Sequence, residues 1–184
     1  MKPKLITPPA SDPVTLQDVK AHLRVFYSDD DAYLTALIKA ATSHLDGYQG
    51  ILNRCIVSQA WQVTRCNWCR KMETIFTDAT AAVIKYFDES GSEQTVDGAA
   101  YSVYPDYIRF NNEFVFPTFD TDRDDPISVT TTHGYATVPE SLALAIKILV
   151  AHWYRNREPV TFGGIPAKIP HSVDALIAPH RWAF

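Results

Sequence analysis

The hydrophobic period of this chain changes twice, and those two changes set the order of its elements. Tyr33, Leu34, Leu37, Ile38, Ala41, Leu45 and Tyr48 recur at three- and four-residue steps, the mark of one helix face. From about Gln59 the step shortens to two, with Trp61 and Val63 alternating with polar neighbours. After Pro139 the helical step returns, with Leu142, Ile146, Leu149, Val150 and Trp153 on one face. A chain that reads helix, helix, β region, helix, short helix is α+β rather than alternating α/β.

Local signals bound each element. Thr15 is an N-cap with Asp18 at N3, and Val14 and Val19 hold the two places of a hydrophobic staple, so a short amphipathic helix runs to about Arg24. Ser28-Asp29-Asp30-Asp31 places negative charge at the start of a second helix, which is expected to run to Gln49 and stop at Gly50 in a left-handed conformation. In the β region, Val83, Ile84, Tyr86 and Phe87 meet a turn at Asp88-Glu89-Ser90-Gly91-Ser92. Gln94 to Val96, Tyr101 to Tyr104, Tyr107 to Phe110 and Ile127 to Thr132 are the remaining strands. Pro170 to Ala178 is a short fourth helix closed by Pro179, and residues 1–13, with their four prolines, form an extended arm.

The fold expected is a helical bundle from N- and C-terminal helices with an inserted antiparallel β domain. Residues 1–56 supply the arm and first helices, 57–136 the β-rich insertion (a small sheet or barrel-like sandwich), and 137–184 the C-terminal helices and tail. The two end segments pack together as one helical domain, because no short hairpin could bury both apolar helix faces.

Composition excludes some functions. Of 184 residues, 46% are hydrophobic and 21% charged, enough to form a core without metals or disulfides. The formal charge is −4, with no cluster of Lys and Arg of the kind that binds duplex DNA nonspecifically. The densest charge run, Asp120 to Asp125, is acidic, is interrupted by Arg123, and reads as a solvated loop. The N-terminus lacks the apolar stretch of a secretion signal, and the longest apolar window, Leu142 to Tyr154, is too short for a membrane span. The expected compartment is cytosol, where Cys55, Cys66 and Cys69 stay thiols.

No catalytic constellation is expected. Cys66-Asn67-Trp68-Cys69 has the spacing of half a zinc site, but a structural site needs two further ligands, and only Cys55 and scattered histidines remain. Two loop thiols are the expectation, with no metal and no cofactor. The G-x-S-x-G, H-E-x-x-H, G-x-G-x-x-G and Walker patterns are all missing from the sequence. Gly163-Gly164 precedes Ile165-Pro166 and reads as a loop, and the aspartates of 120–125 lack the glycine and closing glutamate of an EF-hand. His22, His44 and His152 read as packing residues within helices. Aromatic residues make up 12% of the chain. Phe114, Phe116, Phe119, Phe162, Trp182 and Phe184 sit near loops or ends, where such side chains anchor partners or close over their own core.

Taken in order, these segments resemble the head–tail connector (adaptor) proteins of long-tailed phages and gene transfer agents. The likeness begins with Pro13-Val14-Thr15-Leu16 and Lys20-Ala21-His22-Leu23-Arg24-Val25. It continues through Leu34 to Ala41, Tyr48-Gln49-Gly50 and Gln59-Ala60-Trp61. It resumes at Gly134-Tyr135, Val138-Pro139, Ala151 to Glu158 and Val173 to Arg181. The stretch from Cys66 to Asp125 is the least similar.

The resemblance implies a structural protein and no catalysis. It implies a ring, commonly dodecameric, beneath the portal protein, joined to a stopper or tail-completion protein around the channel through which DNA passes without specific binding. The place would be the virion neck, reached from the host cytoplasm during assembly, with no membrane contact. DNA moving through should not stick, so an acidic or weakly charged lumen suits the role. Trp153, Tyr154, Arg157, Phe162, Arg181, Trp182 and Phe184 are the candidate partner contacts, although Trp153 and Tyr154 would also complete the core face and Arg155 and Arg157 suit the C-terminal end of a helix. The apolar tail 180–184 is expected to dock on the portal or a neighbouring subunit. The contrasting readings are a small metal-dependent or hydrolytic enzyme and a peptide-binding module.

Overall fold

The computed structural model describes residues 2–157 and 171–182. The chain forms two compact units: residues 1–10 with 58–134, and residues 11–57 with 135–184. Each has its own hydrophobic core. The class is α+β.

The helical unit holds α1 (Leu16–Leu23), α2 (Asp31–Leu45), α3 (Glu140–Arg155) and α4 (His171–Ile177), the last followed by a 3₁₀ turn, Ala178–His180. The start of α1 follows the sequence signal: the Thr15 hydroxyl accepts from the Asp18 N–H, and an Asp18 carboxylate oxygen accepts from the Thr15 N–H. A reciprocal cap of this kind is worth about 1 kcal/mol. The stapling residues Val14 and Val19 are both buried, and Arg24 ends the helix in the left-handed region at φ 57°. Val19, Leu34, Ile38, Leu45, Ile146 and Leu149 are among the core residues, and Val173 and Ile177 bring α4 onto the same core.

The end of α2 differs from expectation. The helix stops at Leu45, Asp46 is its C-cap, and the left-handed residue is Gly47 at φ 74°. Gly50 is required for another reason. It lies so close to the helix end that a Cβ there would stand 2.3 Å from the carbonyl oxygens of Leu45 and Asp46. The following N–H groups close the helix, Ile51 donating to His44 O at 3.0 Å and Leu52 to Leu45 O at 3.2 Å.

The β unit holds eight strands in two antiparallel sheets. The larger has the order β1-β2-β8-β4-β5, with β1 at Lys4–Thr7, β2 at Gln59–Arg65, β4 at Ala81–Phe87, β5 at Glu93–Thr95 and β8 at Ile127–His133. The smaller is β3-β7-β6, with β3 at Lys71–Glu73, β6 at Tyr101–Val103 and β7 at Tyr107–Phe110. Strand β8 is central, with Val129 opposite Val63 on one side and Ile84 on the other. Its alternating residues Ile127, Val129, Thr131 and His133 are buried. The two sheets share one core, with Ile84, Ile127 and Val129 from the larger and Met72, Ile108 and Phe110 from the smaller.

Two strands were not legible in advance. Residues 4–7, expected to be an arm of the helical part, pair with β2 through Lys4 opposite Gln62 and Leu5 opposite Trp61, so the first ten residues group with the β unit. The partner that makes them a strand lies far along the chain. Strand β3 has a single inward residue, Met72, and so no alternation to detect. The β4–β5 turn, by contrast, follows its composition: the Asp88 carboxylate accepts from the N–H groups of Ser90 and Ser92 at 2.9 and 3.0 Å, and Gly91 takes φ 78°.

Candidate interaction surfaces

In the helical unit, the loop between α1 and α2 presents its aromatics outward. Val25 turns into the core, while Phe26 is 89% exposed and Tyr27 52% exposed. The loop is held from the far end of α3. Although Asp30 occupies the N-cap position of α2, its side chain does not cap that helix. It accepts instead from the Tyr154 hydroxyl, from the Tyr27 hydroxyl at 3.3 Å and from Arg157 Nη2 at 3.3 Å. The Tyr154 bond, first, and the Arg157 charge hold the Asp30 carboxyl below the usual carboxylate range, and the same bond pushes the Tyr154 hydroxyl upward. Arg157 also lies over the rings of Tyr33 and Tyr154, 4.8 and 5.2 Å from their centroids.

Tyr154 and Arg157 therefore bind the start of their own α2, while Trp153 packs against the helical core with its ring edge-on to His44. Beside the loop, Leu16, Lys20, Ala21, Val25 and Phe26 line an open groove of about 500 Å³ on the outer face of α1. Lys20 at its margin is paired with Asp31 at 2.5 Å. Such a groove can seat an apolar side chain. Sequence reasoning passed over Phe26 because one aromatic between two helices makes no pattern.

The tail lies on its own unit as far as it is described. The His180 ring bridges the Tyr135 hydroxyl at 2.9 Å and the Ser141 hydroxyl at 2.7 Å. Burial, with the Arg54 charge second, pulls its pKa below the ordinary histidine value. The Trp182 N–H donates to Leu52 O at 2.9 Å, and Asn53 Nδ2 donates to Trp182 O at 3.3 Å. Arg181 is exposed, and the Trp182 side chain stays 40% exposed. Phe162 and Phe184 lie outside the described residues.

In the β unit the Cys66–Cys69 segment serves to seat Trp68. Both thiols are exposed, but the indole between them stacks on Phe116, meets Tyr86 and Phe110 edge-on, and donates its N–H to Pro117 O at 3.0 Å. Phe114 and Phe116 pack on the same core. Among the described residues no three His, Cys, Asp or Glu side chains converge as metal ligands. Buried His133, on β8, lies 2.9 Å from Asp78 Oδ1 and 2.6 Å from Thr131 Oγ1, so its ring nitrogens are engaged within the β unit.

Residues 14–183 match the family model of the head completion protein, HCP. The chain belongs to the head completion protein family. Three chains from gene transfer agent (GTA) particles share the fold, each matched over 100% of this chain and 97% of its own length. One is in the neck of an empty GTA particle computed with C6 symmetry (TM-score 0.76, 18% identity). Another is in the virion of a native GTA particle (TM-score 0.74, 19% identity), and a third in the neck of a native GTA particle computed with C12 symmetry (TM-score 0.70, 17% identity). No curated protein sequence matches. The role of this head completion protein is that of a head–tail connector, or adaptor, in a phage-like particle. The family match leaves out β1, which the structural matches include.

Proposed function

We propose that this head completion protein is a non-catalytic ring subunit of the virion neck. It docks beneath the portal protein, joins it to a stopper or tail-completion protein, and frames a channel through which DNA passes without specific binding. The observation that carries this reading is the whole-chain likeness to GTA neck chains, one of them in a neck computed with C12 symmetry. A dodecamer is the assembly expected from it.

Physical features of the chain support the role. A closed ring grows from one heterologous contact repeated by rotation, so each subunit needs two unlike side surfaces and further surfaces for unlike partners. We read residues 11–57 and 135–184 as one helical platform into which the β domain is inserted, and the β domain with its separate core adds surface that the platform alone lacks. A charge of −4 favours a lumen that does not retain DNA. The subunit is made in the host cytoplasm and ends in the particle neck, and no helix among the described residues is long and apolar enough to cross a membrane. The exposed Trp182 and Arg181, with Phe184 close behind them in the sequence, remain the proposed groups by which the tail meets the portal or a neighbouring subunit, and Phe162, beside Gly163-Gly164, is a further proposed partner contact.

The test is direct. Purified protein is mixed with the portal protein of the same particle and imaged by electron microscopy. A ring of twelve subunits on the portal is expected. Mixtures in which the portal stays bare refute the reading, and a lumen lined by Lys and Arg in an assembled ring refutes the weakly charged channel alone.

A further inference from the structure

The β unit carries two surfaces of opposite charge that its own fold leaves unneutralised. On the outward face of the smaller sheet, Lys71 stands directly across from Arg109, which also faces Ser102. Like charges directly opposite one another cost a sheet stability. Among the described residues neither side chain enters an ion pair. Lys71 lies over the Tyr107 ring, 4.2 Å from its centroid, and Tyr107 is stacked on Tyr104 at 4.5 Å, giving Lys71 an aromatic floor. Arg109, Ser102, Tyr104, Asn111 and Glu113 line an open hollow of about 430 Å³ beside it. Glu73 and Glu113 flank the face but pair with neither cation.

The second surface is the loop leading into β8, where Asp122, Asp124 and Asp125 are exposed. Its shape is fixed locally: the Asp120 N–H donates to Phe87 O at 3.0 Å, and Asp120 Oδ1 accepts from the Asp122 N–H at 3.0 Å. The one cation of the loop, Arg123, lies 3.7 Å over the Phe87 ring instead of pairing with these carboxylates. No ion pair among the described residues joins this loop to Lys71 or Arg109 within the subunit.

We propose that these surfaces are the two halves of one contact between copies of this chain: the acidic loop of one subunit docks across Lys71 and Arg109 of the next. This rests on the ring reading and supplies the side-to-side contact it needs. The two patches differ in sign and in place, and every copy carries both, so a head-to-tail ring neutralises all of them. An external acidic partner would leave every acidic loop unmatched.

The test uses charge reversal in the full chain, with K71E/R109E and D122K/D124K as the two variants. Self-association is followed by sedimentation velocity across a range of salt, and thermal unfolding checks that these exposed changes leave the fold intact. The wild type should associate at low salt and dissociate as salt rises. Each variant alone should remain monomeric, since its two surfaces then carry the same sign. An equimolar mixture should associate again, because each reversed face meets a reversed loop. Wild-type-like association by either variant, a mixture that does not recover, or a wild type monomeric at every salt concentration overturns the contact. So does duplex DNA retained by the wild type and released by K71E/R109E. If both variants still form rings on the portal, this contact is wrong and the ring reading stands; a bare portal with wild-type protein removes the ring reading itself.

Discussion

Replacing Gly50 by alanine should destabilise the protein by about 3 kcal/mol. The new Cβ would stand 2.3 Å from two carbonyl oxygens at the end of α2, whereas such contacts essentially never fall below 3.0 Å. The strand of loop after Gly50 must therefore retreat from the helix by a large part of an ångström. The Leu52 N–H to Leu45 O bond is already 3.2 Å long and would pass beyond hydrogen-bonding distance. Losing it beside fully buried side chains costs about 1 kcal/mol, and overpacking the site adds about 2 kcal/mol. Two other glycines calibrate the result. Gly98 meets nothing within 4 Å and has ordinary φ, so Gly98→Ala should change stability by less than about 0.5 kcal/mol. Gly91 also has open space but sits at φ +78°, so Gly91→Ala should cost about 1 kcal/mol through backbone strain alone. Urea unfolding followed by circular dichroism and tryptophan fluorescence measures all three. If Gly50→Ala is no worse than Gly91→Ala, close approach is not why glycine stands there.

Trp68→Ala should cost about 3–5 kcal/mol as a core truncation, while the double variant C66S/C69S should stay within about 0.5 kcal/mol of wild type. A melt of C66S/C69S that falls as far as that of Trp68→Ala would show that the thiols hold the segment. The Asp88 carboxyl is lowered from 3.8 to about 2, chiefly by the Ser90 hydroxyl and then by Gln94. The unfolded chain therefore binds the proton first, and the contribution of Asp88 to stability is complete above about pH 3.8 and lost as pH falls through about 2. Melting temperatures of wild type and Asp88→Asn should accordingly converge on acidification, and curves that stay parallel refute the assignment. Deleting residues 180–184 should both lower the melting temperature, because the His180 bridges and the Trp182 backbone bond go with it, and abolish joining to the portal. Unchanged assembly would remove the tail from the interface.

Legibility in the sequence followed how local each determinant is. The cap of α1 is written within Thr15 to Asp18, and the Asp88 turn within a few residues, so both are plain in the sequence. The apolar face of α3 was equally plain because Leu142, Ile146, Leu149 and Val150 follow one period. Strand β1 depends on a partner at residues 60–62, and nothing between Pro3 and Pro8 announces that pairing. Gly50 was recognised as special, but its reason is a close approach to helix-end carbonyls, which spacing cannot distinguish from a left-handed turn. Charge opposition across strands was invisible for the same cause. Lys71 and Arg109 become neighbours only when β3 pairs with β7.

Some of the residues singled out from the sequence are engaged within the fold, and that bears on where partners should be sought. Tyr154 and Arg157 direct their polar groups to Asp30, and Trp153 packs on the helical core. What this arrangement accomplishes is to fix the α1–α2 loop, so that Phe26 is presented at low entropic cost on a braced turn instead of a loose one. An aromatic held this way beside an apolar groove has the features of an interface anchor. Truncating Phe26 should then weaken assembly without moving the melting temperature, whereas Asp30→Asn should weaken both, because it loosens the brace as well as the loop it holds. The pair of variants separates contact from support, and a Phe26→Ala protein that assembles normally would leave the exposed ring without that role.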